Sequence, residues 1–490
     1  MKSNLTGIHA CRKIRTTKVF IHFVLKVDFL GYVNNGVVCH GECGQFTDNL
    51  YVMNTTLPLV RTTFLLLIIL NQVIGSDQRP NLIYVVCDDL GYGDLGCYGQ
   101  KVIKTPRFDR MASEGLLFTD HYAGHTVCRP SRLVYLTGKH SGHTAIAGNN
   151  MHILPEGSVT VTSLLQKAGY KTGGVGKWAL GHLGSTGHPN RQGFDFFYGY
   201  LDQSEAHDYY PEFLYRNEGK ERLPGNLNSG RRNVSSQKVT YAHSRITEEA
   251  LAFIVRNREM PFYLNLTWTI PHTNNEAKGN GQEVPDYGIY DQMDWPEPEQ
   301  GFAAMITLMD QDMGRILDLL IELEIAENTL VIFTSDNGPH NEGGHKVSFF
   351  NSSGPLKGYK RSLHEGGIRV PMIAWWPNTI LPGESDHPSA FWDWLPTACE
   401  LAGIDSPNGL DGVSFAPTLL GKTEMQAKHD YLFWRWSRFR AVRMGKWKAL
   451  QTDGKLALYD LSEDLGETQD LVSQNPSLAN RINRIIEELE

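Results

Sequence analysis

The chain has 490 residues, 46 lysines and arginines against 54 aspartates and glutamates, and a formal net charge of −8. That length holds one large α/β domain and a smaller partner. The acidic balance, without any basic run or stripe, excludes a nucleic-acid binder.

In chain order, the first feature is the apolar run Thr63 to Leu70, preceded by Arg61 and followed by Gly75-Ser76. It has the layout of a secretory signal and is too short for a stable membrane span. Signals work at an N-terminus, and Met53 stands at a natural distance before this one. Residues 53–76 are therefore expected to be a signal peptide and residues 1–52 a doubtful extension. The expectation is a secreted or periplasmic protein; the competing reading is a signal anchor that leaves it on a membrane. Of the seven cysteines, Cys11, Cys39 and Cys43 lie in the extension. The remaining Cys87, Cys97, Cys128 and Cys399 are too few for a disulfide framework.

Leu82 to Cys87 is a continuous aliphatic run that ends in Asp88-Asp89. Such runs read as strands buried on both faces, hence a parallel sheet. Cys128-Arg129-Pro130-Ser131-Arg132 follows, then a short amphipathic helix from Thr160 to Ala168 stopped by Gly169. Lys171 to Gly176, glycine-rich and the weakest strand signal, runs into Lys177. Phe262 to Trp268 runs toward His272. From about Glu299 to Leu323, Phe302, Met305, Ile306, Met309, Met313, Ile316, Leu317 and Leu320 recur at helical spacing, and Leu330 to Thr334 then runs into Asp336-Asn337. Ligands of open α/β sheets lie beyond the carboxyl ends of the strands, where all four polar groups fall.

A domain boundary is expected between Trp376 and Asp430, where Pro377, Pro382-Gly383, Pro388, Pro407-Asn408-Gly409 and Pro417 interrupt the pattern. The proposed division is 77–400 and 401–490. Beyond it, Tyr431 to Trp436, Arg440 to Leu450 and Lys455 to Tyr459 read as strands, with Asp453-Gly454 as a hairpin turn. A terminal helix is expected from Pro476 to about Glu488.

Asp88, Asp89, Asp336 and the amide oxygen of Asn337 form an oxygen-rich set that favours calcium, or less well magnesium, over zinc. Taken singly, these segments also read as ordinary strand-end turns, and Cys128 as a buried structural thiol. Together with Leu136-Thr137-Gly138 the cysteine motif is specific. The stretch from Pro80 to about Trp376 resembles the catalytic domain of the type I, formylglycine-dependent sulfatases, of the bacterial arylsulfatase kind. The matching pieces are Pro80-Asn81-Leu82-Ile83 to Gly99, the cysteine motif, Gly176-Lys177-Trp178, Pro271-His272, Thr334 to Pro339, and Glu365 to Pro371. The tail pieces Ala441 to Lys448, Leu458 to Leu461 and Gly466-Glu467-Thr468 also match.

The resemblance implies an alkaline-phosphatase-like fold: a mostly parallel central sheet flanked by helices, with a smaller C-terminal α+β subdomain. It implies that a maturation enzyme oxidises Cys128 to formylglycine. Asp88, Asp89, Asp336, Asn337 and the modified Cys128 would hold calcium. Arg132 would steady the aldehyde hydrate, and Lys177 and Lys360 would contact the sulfate. His272 would protonate the leaving alcohol. The implied substrate is a sulfated small molecule or glycan, with aryl sulfates as model substrates. Two positions depart from the family: Ala179 stands where a histidine is common, and Arg129 where a small residue is usual. His182 and His207 are the candidate replacements for the histidine. The alternatives are a phosphodiester or phosphonate hydrolase on the same fold, and a non-catalytic binding protein with unmodified Cys128. The rings of Tyr209 and Tyr210, and of Tyr287, Tyr290 and Trp295, are candidate sugar-stacking surfaces.

Overall fold

The computed structural model describes residues 79–490 except 145, 147 and 151. The expected extension and signal, residues 1–76, lie outside the described residues. Strand β1 (Asn81–Asp88) is central in a ten-stranded sheet. In chain order the other members are β2 (Leu116–Phe118), β4 (Lys171–Lys177), β5 (Phe196–Tyr200), β6 (Phe213–Arg216), β7 (Gly219–Arg222), β10 (Phe262–Pro271), β11 (Thr329–Ser335), β12 (Met372–Trp375) and β13 (Gly383–Ser385). Short pairs are formed by β3 (His121–Tyr122) with β14 (Ser389–Ala390), and by β8 (Leu227–Arg231) with β9 (Val234–Gln237).

Across the sheet the order is β13-β2-β12-β11-β1-β10-β4-β5-β6-β7. The inner strands β11, β1, β10, β4 and β5 are all parallel. They include the four runs read from the sequence, now as direct neighbours. Every residue of β1 is buried, and alternate side chains enter different cores. Ile83, Val85 and Cys87 meet one core; Leu82, Tyr84 and Val86 meet the other. Two covered faces explain why this strand reads as an unbroken apolar run.

The first core is closed by helices α1 (Pro106–Glu114), α4 (Ala242–Asn257) and α5 (Glu297–Glu322). The methionines of α5 are fully buried there. The second core takes α2 (Cys128–Thr137), α3 (Val161–Lys167) and α8 (Trp394–Leu401). Thr160 caps α3 by accepting from the Ser163 amide, and Gly169 follows it at φ +90°, the left-handed conformation that stops a helix. Single turns α6 (Val347–Phe350), α7 (Glu365–Ile368) and α9 (Ala416–Leu419) complete this part.

The C-terminal sheet runs β15 (Leu432–Trp436), β16 (Phe439–Met444), β17 (Trp447–Thr452) and β18 (Lys455–Asp460), all antiparallel. The segment read as one strand, Arg440 to Leu450, is two. Met444 pairs with Trp447 across a Gly445-Lys446 turn, where Gly445 takes φ +55°. Phe433, Val442, Ala449 and Leu458 pack on helix α10 (Pro476–Glu488), while Leu432, Trp434 and Ala441 join the core of the large sheet.

Candidate active site

The site lies at the carboxyl ends of the four neighbouring parallel strands. Strand β1 ends at Asp88, with Asp89 at φ +69° turning the chain away. Strand β4 ends at Lys177, β10 runs one residue short of His272, and β11 runs one short of Asp336. The pairings Asp88 with Pro271 and Cys87 with Ser335 bring these ends level. Cys128 enters from the side as the first residue of α2, a helix whose residues Cys128 through Leu136 are all buried.

The charges interlock. Lys177 Nζ donates to Asp88 Oδ2 at 2.6 Å, and Lys360 Nζ to Asp89 Oδ2 at 2.6 Å. Arg132 forks onto Asp336 Oδ2 at 3.0 and 2.8 Å, reaches Asp88 at 3.4 Å, and donates to the Lys177 carbonyl. The Cys128 thiol donates to Asp88 Oδ1 at 3.2 Å. All of these side chains are essentially withdrawn from water. Burial opposes charge on Asp88, yet Lys177, His272, Arg132 and Lys360 outweigh it and hold the carboxyl well below its ordinary range. Burial and the Asp88 charge push Asp336 up to about 7 despite Arg132. Burial and Asp88 likewise push the Cys128 thiol far up, so it is protonated.

The residues present fit a hard cation. Ligand atoms of Asp88, Asp89, Cys128 and His272 lie within 4.8 Å of one another. Asn337 Nδ2 donates to Asp89 Oδ1 at 2.7 Å, while Asn337 Oδ1 is buried with no hydrogen-bond partner. A buried, unpartnered amide oxygen beside three carboxylates is a donor set that suits an oxygen-seeking ion.

His272 donates from Nδ1 to the Thr273 carbonyl at 2.6 Å, and its Nε2 faces Asp89 Oδ2 at 3.5 Å. Burial, then Lys360, drives its pKa well below the ordinary histidine value despite Asp88. His207 lies flat against it, ring centres 4.6 Å apart, and bonds Glu276 at 3.1 Å. Ala179 takes φ +67° at the end of β4. His182 is exposed, and its own polar contacts are with Ser185 and Leu183, outside the cluster. Thus Asp88, Asp89, Cys128, Arg132, Lys177, His272, Asp336, Asn337 and Lys360 meet, His207 joins them through His272, and His182 does not.

Three groups beside the site escaped the sequence reading. His340 is buried, contacts the Pro271 carbonyl and lies 6.2 Å from the His272 ring. Its position just after Asn337-Gly338-Pro339 was the available signal. Glu342 binds Arg361; Glu342 lies close enough to Lys360 and Asp89, and Arg361 close enough to Asp89, to feel their charge. Three of the aromatic candidates are corrected: Tyr209, Tyr210 and Tyr290 are buried packing residues, whereas Tyr287 and Trp295 are half-buried. The Tyr209 hydroxyl donates to the Thr269 and His272 carbonyls. Tyr290 stacks on Trp295 within the protein.

Residues 80–404 match the sulfatase family, and residues 358–490 match the family described as N-sulphoglucosamine sulphohydrolase, C-terminal. The chain belongs to the sulfatase family. It is a sulfuric ester hydrolase. This sulfatase is 32% identical over 420 residues to the human N-acetylgalactosamine-6-sulfatase, covering 74% of this chain and 73% of the relative. It is 32% identical over 433 residues to the human steryl-sulfatase, with 73% and 72% covered. The crystal structure of Ps i-CgsB superposes at a TM-score of 0.72, with 27% identity over 84% of this sulfatase and 92% of that chain; that protein was also solved with k-i-k-neocarrahexaose. The fold of the sulfatase is accordingly the mostly parallel sheet expected, with the separate four-stranded antiparallel sheet behind it. Among the described residues no helix is long and apolar enough to cross a membrane.

Proposed function

We propose that this sulfatase cleaves sulfate esters of carbohydrates, using Cys128 in its formylglycine form and a calcium ion. The observation that carries the reading is the buried cluster in which Lys177, Lys360 and Arg132 surround the carboxylates nearest Cys128. Relatives named N-acetylgalactosamine-6-sulfatase and a similar structure in complex with k-i-k-neocarrahexaose support the carbohydrate class. Export, directed by the apolar run from residue 63 to 70, and maturation by a formylglycine-generating enzyme belong to the same reading.

Asp88, Asp89, Asp336 and Asn337 would hold the ion, which supplies positive charge beside the sulfate oxygens. The matured Cys128 supplies a geminal diol, a nucleophile that a bare thiol this deeply buried does not provide. A sulfate ester is an anion, so it needs compensation before a nucleophile can approach. Lys177 and Lys360 release their present carboxylate partners in favour of sulfate oxygens, and Arg132 stays locked to Asp336, keeping the carboxylates in register. His272 needs its second proton to serve as an acid, because its Nδ1–H is already committed to Thr273. An incoming anion favours that imidazolium, and Nε2 then gives its proton to the leaving alcohol. His207, stacked on His272 and tied to Glu276, keeps the ring in place.

Mass spectrometry of the peptide spanning Cys128 tests the reading. Expression with a formylglycine-generating enzyme should convert the thiol to an aldehyde, and the converted protein should hydrolyse 4-nitrophenyl sulfate far faster than an aryl phosphodiester. An unconverted thiol, or a preference for the phosphodiester, overturns it.

A further inference from the structure

Arg129 is a buried cation held chiefly by neutral groups. It is 5% exposed, yet among the described residues no carboxylate lies within ion-pair distance of it. Its Nε donates to the Ala179 carbonyl at 2.9 Å and one Nη to the Asn149 carbonyl at 2.5 Å; its other Nη makes no hydrogen bond among the described residues. Two neutral carbonyls orient the guanidinium without cancelling its charge. A buried charge left in this state is costly unless something else compensates it.

The arginine lines a small surface cavity with His152, Ala179, His182, Asp202 and Gln203. Asp202 shares the wall and its charge acts on Arg129, but the two form no ion pair. The Asp202 Oδ1 accepts from the Ser204 amide, the Ser204 hydroxyl and the Glu205 amide, and its nearest cation is Arg232 at 3.7 Å. The remaining wall is mixed: Gln203 and two histidines supply its polar part, Ile153 and Leu201 its apolar part. The Arg129 guanidinium is near enough to Cys128 for the two to interact electrostatically, which puts the cavity in the neighbourhood of the reacting group, and Ala179, another wall residue, stands two residues beyond Lys177. A guanidinium held by two of its nitrogens, with a third unengaged, is suited to a second oxyanion.

We propose that Arg129 forms a subsite for a second anionic substituent, a sulfate or carboxylate carried by the same sugar or its neighbour, next to the sulfate that is cut. The proposal rests on the sulfatase reading of the Cys128 cluster. Arg129 is a specificity-determining residue: it touches no reacting atom, and its effect belongs in the affinity for doubly charged ligands.

The test uses the full chain with Cys128 conversion measured by mass spectrometry, and rates normalised to converted protein. N-acetylgalactosamine 4,6-disulfate and glucosamine 2-N,6-O-disulfate are compared with the corresponding 6-monosulfates as competitors of 4-nitrophenyl sulfate hydrolysis. In wild type at least one disulfate should bind about tenfold or more tightly than its monosulfate. Arg129→Gln should abolish that advantage while changing the monosulfate Ki and aryl sulfate turnover by no more than about twofold. Arg129→Lys should restore part of it. Equal losses on mono- and disulfates, or no disulfate advantage in wild type, overturn the subsite. If Arg129→Gln is not converted, calorimetry of the same sugars on a Cys128→Ala background, with and without Arg129→Gln, reads the same contrast without catalysis. Failure of converted wild type on every sulfate ester would instead overturn the functional reading, and the calorimetry would still judge the subsite.

Discussion

His272 donates Nδ1–H to Thr273 and turns Nε2 toward the carboxylates, so its role depends on which leaving group needs a proton. A sugar alkoxide needs one badly; a nitrophenolate hardly does. His272→Ala should therefore slow sugar sulfates about a hundred- to ten-thousand-fold more than activated aryl sulfates. Equal losses in steady-state kinetics on both substrates would mean that His272 only positions the sulfate. His182→Ala should change neither rate, since that ring is exposed and bonded to its own turn. The ion-binding set gives a second prediction at this scale. Asp336 is the anchor of Arg132, and truncation would leave a buried guanidinium half-paired. Asp336→Asn keeps the shape and removes one charge. It should lose nearly all activity and bind calcium more weakly by calorimetry, with a retained circular dichroism spectrum. Full activity in Asp336→Asn, or after exhaustive chelation, would exclude the ion site.

Among elements, the turn α7 joins the two sheets. Lys448 of β17 reaches Glu365 Oε1 at 2.6 Å, both fully buried, and Tyr122 and Arg369 meet the other oxygen. Burial opposes charge on Glu365, but Lys448, Arg369 and Arg443 prevail and hold its pKa at about 2. A carboxyl depressed in the folded state stabilises fully above its ordinary range near pH 4.5 and loses that contribution as pH falls toward 2. Lys448→Met should thus destabilise the protein by about 3–5 kcal/mol at pH 7, since it strands a buried charge. The deficit in urea unfolding should shrink as pH falls through 4.5 to 2. A deficit independent of pH would mean that Lys448 acts by packing. Strands β1 and β11 were legible because both faces are buried, which forces an apolar run. Strand β4 was nearly hidden: Gly176 has φ +113°, and a side chain there would meet the Thr267 carbonyl at 1.9 Å, so close packing removed the usual β-branched signal. Strands β6 to β9 are partly or largely exposed, and nothing in their composition separates them from loop. In the site, residues inside specific motifs were visible. His340, Glu342 and the carbonyl-held state of Arg129 depend on distant partners and were not.

At the scale of the whole molecule, the C-terminal sheet is a layer of the same packed body. Leu432, Trp434 and Ala441 lie in the core that also holds Leu82, Tyr84 and Val86. Trp434 packs at a tilt against Tyr122 and donates to the Ala123 carbonyl, close in sequence to Cys128. Arg443 and Lys448 complete the charges of Asp120 and Glu365. Glu467 accepts from the Glu365 amide at 2.8 Å, and its own carbonyl accepts from Lys357, three residues before Lys360. Thus the segment bearing one active-site lysine is braced by residues beyond position 430. A chain ending at residue 404, where the match to the catalytic family stops, would lose these apolar partners and leave Asp120 and Glu365 short of buried cations. Burying one large apolar side chain is worth about 1.5–3 kcal/mol, and an unpaired buried charge costs about 3–5 kcal/mol. Together these are comparable to a marginal folding free energy of about 5–15 kcal/mol. Residues 79–404 expressed alone should therefore be insoluble or unfold without a cooperative transition, whereas residues 79–490 should melt in one step. A soluble 79–404 fragment with a sharp calorimetric transition would show that the large sheet folds by itself, and the tail would then be a brace for the Lys360 segment alone.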